Sequence, residues 1–214
     1  MLFCFGVVKL ENMLNFSRIL NKKFIFGFVF ILVLAAGGFF WWQNGREIKG
    51  SPEDYEIIET SEGIFVENKK AGLIVKAPEG WEVKKIEFSE GSMGFYAPGT
   101  EGRWQDEMIK PLLNKGCAIG TAVIYKKMDF DETKEEIKEI HAGLGILSEE
   151  FEIITINNQQ VLKNIFNSKF IGPGIGIYFF GKNKTYSFAL YWAPDEKERC
   201  IQEFDSFLEA ISIR

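Results

Sequence analysis

The sequence predicts an α+β fold, a mostly antiparallel β-sheet packed against a few helices, preceded by one N-terminal transmembrane helix. Three observations support this prediction. A long uncharged run lies near the N-terminus. After it, short strand-like segments outnumber helical ones, and turns containing Gly, Pro or Asn separate them, which favours antiparallel neighbours. The two clear helical patterns occur singly instead of alternating with strands, which is typical of α+β domains.

The uncharged run extends from Phe24 to Trp42 and contains no proline. Its 19 residues, at about 1.5 Å each, span about 28 Å, the hydrocarbon thickness of a bilayer. Basic residues at 18, 22 and 23 precede the run, and the two tryptophans Trp41 and Trp42 end it. The positive-inside rule then predicts a cytoplasmic tail over residues 1–23 and an extracytoplasmic C-terminal part.

A cleaved signal peptide is the main alternative to an anchor. Ala35, Ala36 and Gly37 are small enough for a cleavage site. The apolar run continues past them to Trp42, which favours an uncleaved anchor over residues 24–42. Met13 is an alternative start, because a basic segment suited to an N-terminal signal already follows it.

Charge is distributed unevenly along the chain. Residues 1–49 hold six basic and two acidic residues, which leaves 19 basic and 28 acidic residues in 50–214 and a net charge of about −9 there. Nucleic-acid binding requires a basic face that displaces counterions. The composition therefore excludes DNA or RNA as a partner and disfavours anionic lipid surfaces.

Residues 43–54 are polar and contain Gly45, Gly50 and Pro52, so we expect a short stalk there, followed by a domain over residues 55–214. Strand-like segments and turns fill most of that domain. The expected strands lie at 57–58, 64–66, 73–77, 93–96, 117–125, 151–156, 159–166, 175–180 and 185–192. Residues 172–176, rich in glycine, are expected to be a loop or bulge that leads into a hairpin.

Two helices are expected in the domain. The first covers 131–144, where Ile137, Ile140 and Leu144 recur at helical spacing and Asp129 provides the N-cap. The second follows Pro194, and its Cys200, Phe204, Phe207 and Ile211 share one face. A further charged segment at 103–115 is expected to be a helical insertion limited by Pro111.

Four stretches resemble the PsbP-like fold, which includes a lumenal photosystem II subunit, a Ran-binding nuclear import factor and uncharacterised membrane-anchored bacterial proteins. They are residues 72–81 with a Pro-Glu-Gly-Trp ending, the helix after 117–125, the hairpin 153–161, and 186–191 leading to 204–212. Asn158 stands where the family usually has glycine, and 99–116 is an apparent insertion. The resemblance implies the fold and says little about function, because the family's members bind different partners.

No residue pattern predicts a catalytic, cofactor or metal site. His141 is the single histidine and lies off the apolar stripe, so we expect it on a solvated helix face. Paired Cys or His spacing for zinc is missing, and the acidic residues at 132, 135, 136 and 139 fit a solvated helix better than a calcium loop. Residues 172–176 precede a strand, so they form no phosphate loop.

We therefore expect a non-enzymatic extracytoplasmic binding or assembly module with a protein partner of unknown identity. Trp104 and Met108, within the charged insertion, are the candidate partner surface. The alternative is a small-ligand-binding domain with a pocket between the sheet and the insertion 99–116. An enzyme is the least favoured hypothesis, because no nucleophile, base and orienting group assemble in the sequence.

Cys117 and Cys200 form a candidate disulfide. Outside the cytoplasm a disulfide persists, whereas Cys4 would lie on the other side of the membrane. Cys117 begins an expected central strand, and Cys200 lies on the helix face that packs on the sheet. Bonding requires Cα atoms within about 7 Å. The other interpretation, two buried free thiols, stays open at this point.

Overall fold

A computed structural model describes residues 50–86, 92–102, 113–169 and 171–214. Its strands are β1 to β11 and its helices α1 and α2, in chain order. The bounds are β1 Glu56–Thr60, β2 Gly63–Asn68, β3 Leu73–Lys76, β4 Glu82–Ile86, β5 Ser92–Tyr96, β6 Cys117–Ile124, α1 Phe130–Ala142, β7 Ile146–Ile156, β8 Gln159–Ser168, β9 Gly172–Phe180, β10 Thr185–Trp192, α2 Lys197–Glu209 and β11 Ser212–Ile213. Short 3₁₀ turns cover Pro52–Asp54 and Pro194–Glu196.

The strands form two sheets, and every strand pair within the described residues is antiparallel. One sheet has four strands in the order β1-β2-β3-β11, and the other has seven in the order β4-β5-β6-β10-β9-β8-β7. The α+β fold with a mostly antiparallel sheet is therefore confirmed for this part of the chain. The predicted anchor at Phe24–Trp42 lies outside the described residues.

The hydrophobic core lies on one face of the seven-stranded sheet. Side chains from the four-stranded sheet, from α2 and from alternate positions of β5, β6, β9 and β10 meet there. Phe207 of α2 packs edge-on against Phe95 and Phe188, with ring centroids 5.1 and 6.0 Å apart. Because successive strand residues point to opposite faces, the same strands carry a second set of side chains on the other face.

Helix α1 packs on that other face. Asp129 is its N-cap, and the side chain of Asp129 accepts a hydrogen bond from the Glu132 N–H at 2.8 Å, as the sequence predicts. The predicted stripe is partly wrong, however. Ile137 is buried but Ile140 is 54% exposed, and His141 takes the buried position four residues after Ile137. Helical spacing allows either residue to face the sheet, and packing decides between them.

One turn and the beginning of one strand show where the backbone requires particular residues. Asn157 and Asn158 have φ of 50° and 62°, so the predicted tight turn between β7 and β8 is confirmed. The predicted loop at 172–176 is instead the beginning of β9. At Gly174 a Cβ would lie 2.9 Å from the Leu190 carbonyl oxygen, so glycine lets the strand pack closely here without breaking it.

The last residues of the predicted stalk, 50–54, contact the domain. The Gly50 N–H donates to the Val123 carbonyl at 2.9 Å. Ser51 caps the turn Pro52–Asp54, and the Tyr125 hydroxyl lies 3.4 Å from the Asp54 carboxylate. Tyr55 then enters the core. The backbone at Gly50 is thus already held by the sheet.

Candidate functional site

A groove lies between α2 and the outer part of the seven-stranded sheet. Its volume is about 290 Å³, close to the smallest size typical of ligand sites. Strands β7, β8 and β9 form its floor and α2 forms its wall. The lining residues are Ile154, Ile156, Lys163, Ile165, Ile175, Ile177, Trp192, Lys197, Ile201, Phe204, Asp205 and Leu208.

Isoleucines form the floor because the three strands align in register. Ile165 of β8 lies opposite Ile175 of β9, and β7 adds Ile154 and Ile156 at alternate positions. These side chains share one face of the sheet since strand residues alternate in direction. Ile175 is 7% exposed, whereas Ile154, Ile156 and Ile165 remain only partly buried. The outer strands therefore present an apolar surface that α2 covers incompletely.

Helix α2 forms the wall with one stripe of side chains. Most residues of this stripe are three or four positions apart, and two of them are adjacent. They are Lys197, Ile201, Phe204, Asp205 and Leu208. Phe204 and Leu208 are buried, so they belong to both the core and the groove. The helix thus sets the length of the groove, about 16 Å from residue 197 to 208 at about 1.5 Å per residue.

The two ends of the groove differ. At the C-terminal end of α2, the Asn157 side-chain amide donates to the Leu208 carbonyl at 3.3 Å, which joins the β7–β8 turn to the helix. At the N-terminal end, Trp192 and Lys197 line the groove, and Lys197 is exposed. We call the Leu208 end the closed end and the Lys197 end the mouth.

Three charged residues line the groove. Lys163 is paired with Glu152 of β7 at 2.5 Å. Asp205 is exposed and lies two helical turns from Lys197. Lys197 makes no ion pair with any residue in the part of the chain that the structure describes. Lys197 is therefore the groove cation that no ion pair neutralises among the described residues, and the exposed Asp195 and Glu198 flank it in the chain.

Cys117 and Cys200 are bonded in the structure, with Cα atoms 5.7 Å apart. Both are fully buried. The separation meets the limit set by disulfide geometry. Because Cys200 immediately precedes Ile201, the bridge attaches the groove wall to β6 near the mouth.

The other candidate site residues lie elsewhere. Trp104 and Met108 are outside the described residues, together with most of the expected helical insertion. The predicted pocket lay between the sheet and the insertion 99–116, and no described residue of that insertion lines the groove. Its signal in the sequence is the set of alternating isoleucines at 154, 156 and 165, which is recognisable only once their shared face is known.

His141 corrects another expectation. It is 8% exposed rather than solvated, and its Nδ1 lies 2.5 Å from a Glu149 carboxylate oxygen. Asn164 donates to the same oxygen at 3.0 Å, and the Phe166 ring packs 5.0 Å from the imidazole. This cluster lies beneath α1, on the sheet face opposite the groove. The acidic residue on β7 selects the histidine for burial, because a buried carboxylate needs a partner.

The face beneath α1 also holds half-buried tyrosines. Burial raises the pKa of the Tyr191 hydroxyl to about 12 and the pKa of the Tyr178 hydroxyl further. Among the described residues, no group of His, Cys, Asp and Glu is arranged to hold a metal ion. The helices within these residues are also too short or too polar to cross a bilayer.

No protein-family model matches the chain, and no curated protein matches it. Solved structures do match. Cyanobacterial PsbP (CyanoP) from Synechocystis sp. PCC 6803 is 9% identical, with a TM-score of 0.47 over 75% of this chain and 92% of that one. A protein of unknown function from Pseudomonas aeruginosa, described as a putative regulator, is 8% identical, with a TM-score of 0.40 over 75% and 97%.

A third structure, from Bacteroides thetaiotaomicron, is 12% identical, with a TM-score of 0.34 over 67% of this chain and 45% of that chain. All three identities are far below the level at which function transfers between relatives. One of the three is thus a PsbP protein, from the family that the sequence resembles, and none of them bears on what the groove binds.

Proposed function

We propose that this chain is a non-enzymatic binding module that takes an elongated apolar small molecule into the groove between α2 and β7–β9. The observation that carries the proposal is the floor of partly buried isoleucines on three strands beneath an incompletely covering helix. Apolar surface of this kind gains free energy when a ligand removes it from water. A few polar side chains at the rim then orient the ligand, as in other small-molecule sites.

The groove lining supports binding over catalysis. Within the described part of the chain, its charged side chains are Lys163, Lys197 and Asp205, and no His, Ser or Cys lines it. The paired His141 and Glu149 belong to the opposite face of the sheet, away from any ligand in the groove. A nucleophile, a base and an orienting group within hydrogen-bond reach of one another are the usual requirements of group-transfer catalysis.

We propose further that the module is tethered at a membrane by Phe24–Trp42 and faces the extracytoplasmic side. The uncharged length of that run and the basic residues before it support this topology. The chain should remain in the membrane fraction after carbonate extraction. Recovery of the full chain in the soluble fraction would contradict the tether, and a mature N-terminus near Gly38 would reveal a cleaved signal instead. Assembly with a protein partner through Trp104 and Met108 stays a prediction.

The binding function is tested by photolabelling the full chain in lipid nanodiscs. The probe is dodecanol with a diazirine at the end of its alkyl chain, and peptide mapping locates the labelled residues. We expect labelling on β7, β8 and α2. Ile201→Glu puts a charge into the groove wall and should reduce this labelling about fivefold or more.

Ile140→Glu is the matched control, since Ile140 is an exposed helical isoleucine on α1, outside the groove. It should leave groove labelling unchanged. Far-UV circular dichroism checks that both variants keep the fold. Absence of label from the groove peptides of the native chain would refute the proposed function.

A further inference from the structure

The distribution of polar groups along the groove points to the chemistry of its ligand. At the closed end, Ile156, Phe204 and Leu208 supply apolar side chains. The Asn157 amide there already donates to the Leu208 carbonyl. Asp205 lies one helical turn before Leu208, so an anionic head group at this end would lose its hydration and meet a like charge. An apolar chain would gain free energy there by leaving water.

The mouth has the opposite character. Lys197 lies there and is exposed. Of the three acidic residues around it in the chain, Asp195 and Glu198 are exposed and do not line the groove. The third, Glu196, is held by Arg199, whose guanidinium lies 2.9 Å from the Glu196 carboxylate and 3.1 Å from that of Glu203. Lys197 therefore keeps an ammonium without an ion-pair partner among the described residues.

The two other charges of the groove do not change this polarity. Lys163 lies on the floor, where Glu152 neutralises it. Asp205 is eight residues from Lys197 along α2, about 12 Å away by helical rise, and it is exposed to solvent. An anionic head group at the mouth would thus lie nearer to Lys197 than to Asp205.

Resting on the proposed function, we propose that the ligand is a long-chain carboxylate of the fatty-acid class. Its alkyl chain lies along the isoleucine floor towards Leu208, and its carboxylate accepts hydrogen bonds from the Lys197 ammonium at the mouth. The domain as a whole is acidic, so it repels such an anion elsewhere on its surface. Lys197 therefore determines both the orientation and the head-group preference of the ligand.

The test compares three photolabels that differ only in the head group. Each has the same diazirine-terminated chain, and the heads are a carboxylate (dodecanoate), an alcohol (dodecanol) and a trimethylammonium. The full chain in nanodiscs is labelled below the micelle concentration of each probe. We expect dodecanoate to label the groove peptides about fivefold more than dodecanol, the scale of one exposed charge pair. The trimethylammonium probe should label least.

Lys197→Gln should remove the preference for dodecanoate and leave dodecanol labelling unchanged. Lys182→Gln is the matched control, because Lys182 is an exposed lysine in the β9–β10 turn and lies outside the groove. High salt should reduce the preference in the native chain, since screening weakens an exposed ion pair. The diazirine should label residues at the closed end near Leu208 if the chain is oriented as proposed.

The outcomes separate this inference from the proposed function. Equal groove labelling by the three probes, or a dodecanoate preference that survives Lys197→Gln, overturns the carboxylate assignment while ligand binding stands. Labelling confined to the mouth overturns the orientation. Failure of every probe to label the groove overturns the proposed function itself.

Discussion

Removing the disulfide between Cys117 and Cys200 should lower the free energy of unfolding of the domain by about 4 kcal/mol. The bridge joins residues 83 positions apart. Closing a loop of that size in the unfolded chain costs about 4.5 kcal/mol of entropy in the chain-entropy model. Both cysteines are fully buried and in contact with the core, so alanine also forfeits some packing, and relaxation of the unfolded state offsets part of the total.

The assay is unfolding of the full chain in nanodiscs, with the Cys117→Ala/Cys200→Ala variant beside the native chain. At the magnitude given, the midpoint of thermal unfolding should fall by about 8–16 °C. Reduction of the native chain should reproduce the effect of the double substitution, and Cys4→Ala, the matched control, should change nothing.

Thiol counting gives the refuting result. The chain has three cysteines, so the denatured, unreduced protein should expose one reactive thiol, that of Cys4. Three reactive thiols would refute the bridge. One reactive thiol together with a stability change below about 1 kcal/mol would instead refute the loop-entropy estimate.

Three further predictions concern the opposite sheet face and the β7–β8 turn. His141→Ala leaves the Glu149 carboxylate with Asn164 as its remaining partner and should lower the free energy of unfolding in urea by about 2 kcal/mol, whereas Ile140→Ala should change it by less than about 0.5 kcal/mol. Because burial raises the pKa of Tyr191 from 10.0 to about 12, its contribution to stability is complete below pH 10 and is lost as the pH rises through 12; Tyr191→Phe should flatten that loss in alkaline unfolding curves. Asn158→Gly relieves a positive φ of 62° and should raise the midpoint of urea unfolding, while a lower midpoint would contradict the turn assignment.

Local sequence patterns were sufficient to predict the structure where a few neighbouring residues determine the backbone conformation. Asp129 capped its helix as predicted because its side chain reaches the N–H of Glu132 within one turn. The turn at Asn157 and Asn158 formed because Asn tolerates positive φ. The antiparallel sheet followed from short turns between successive strands.

The errors arose where partners distant in the sequence decide the outcome. His141 and Ile140 were equally able to face the sheet, and Glu149 on β7 selected His141. Residues 172–176 were expected to be a loop or bulge that leads into a hairpin. They pair with β8 instead, since the Phe166 ring and the Leu190 carbonyl leave no room for a Cβ at Gly174.

The sequence by itself determined nine of the eleven strands in the described residues, the two helices, the acidic charge of the domain and the cysteines available for bonding, because each depends on composition or on residues within one or two turns. It did not predict β4 or β11. Only the tertiary structure decided where the groove lies. Its isoleucines come from three strands, and its wall comes from a helix that begins at Lys197, well after the last of those strands ends at Phe180. Their meeting depends on strand order, which brings β7, β8 and β9 together at the edge of the sheet. No periodicity in the sequence shows how far α2 extends across that edge. Because α2 covers the edge only in part, the isoleucines remain accessible.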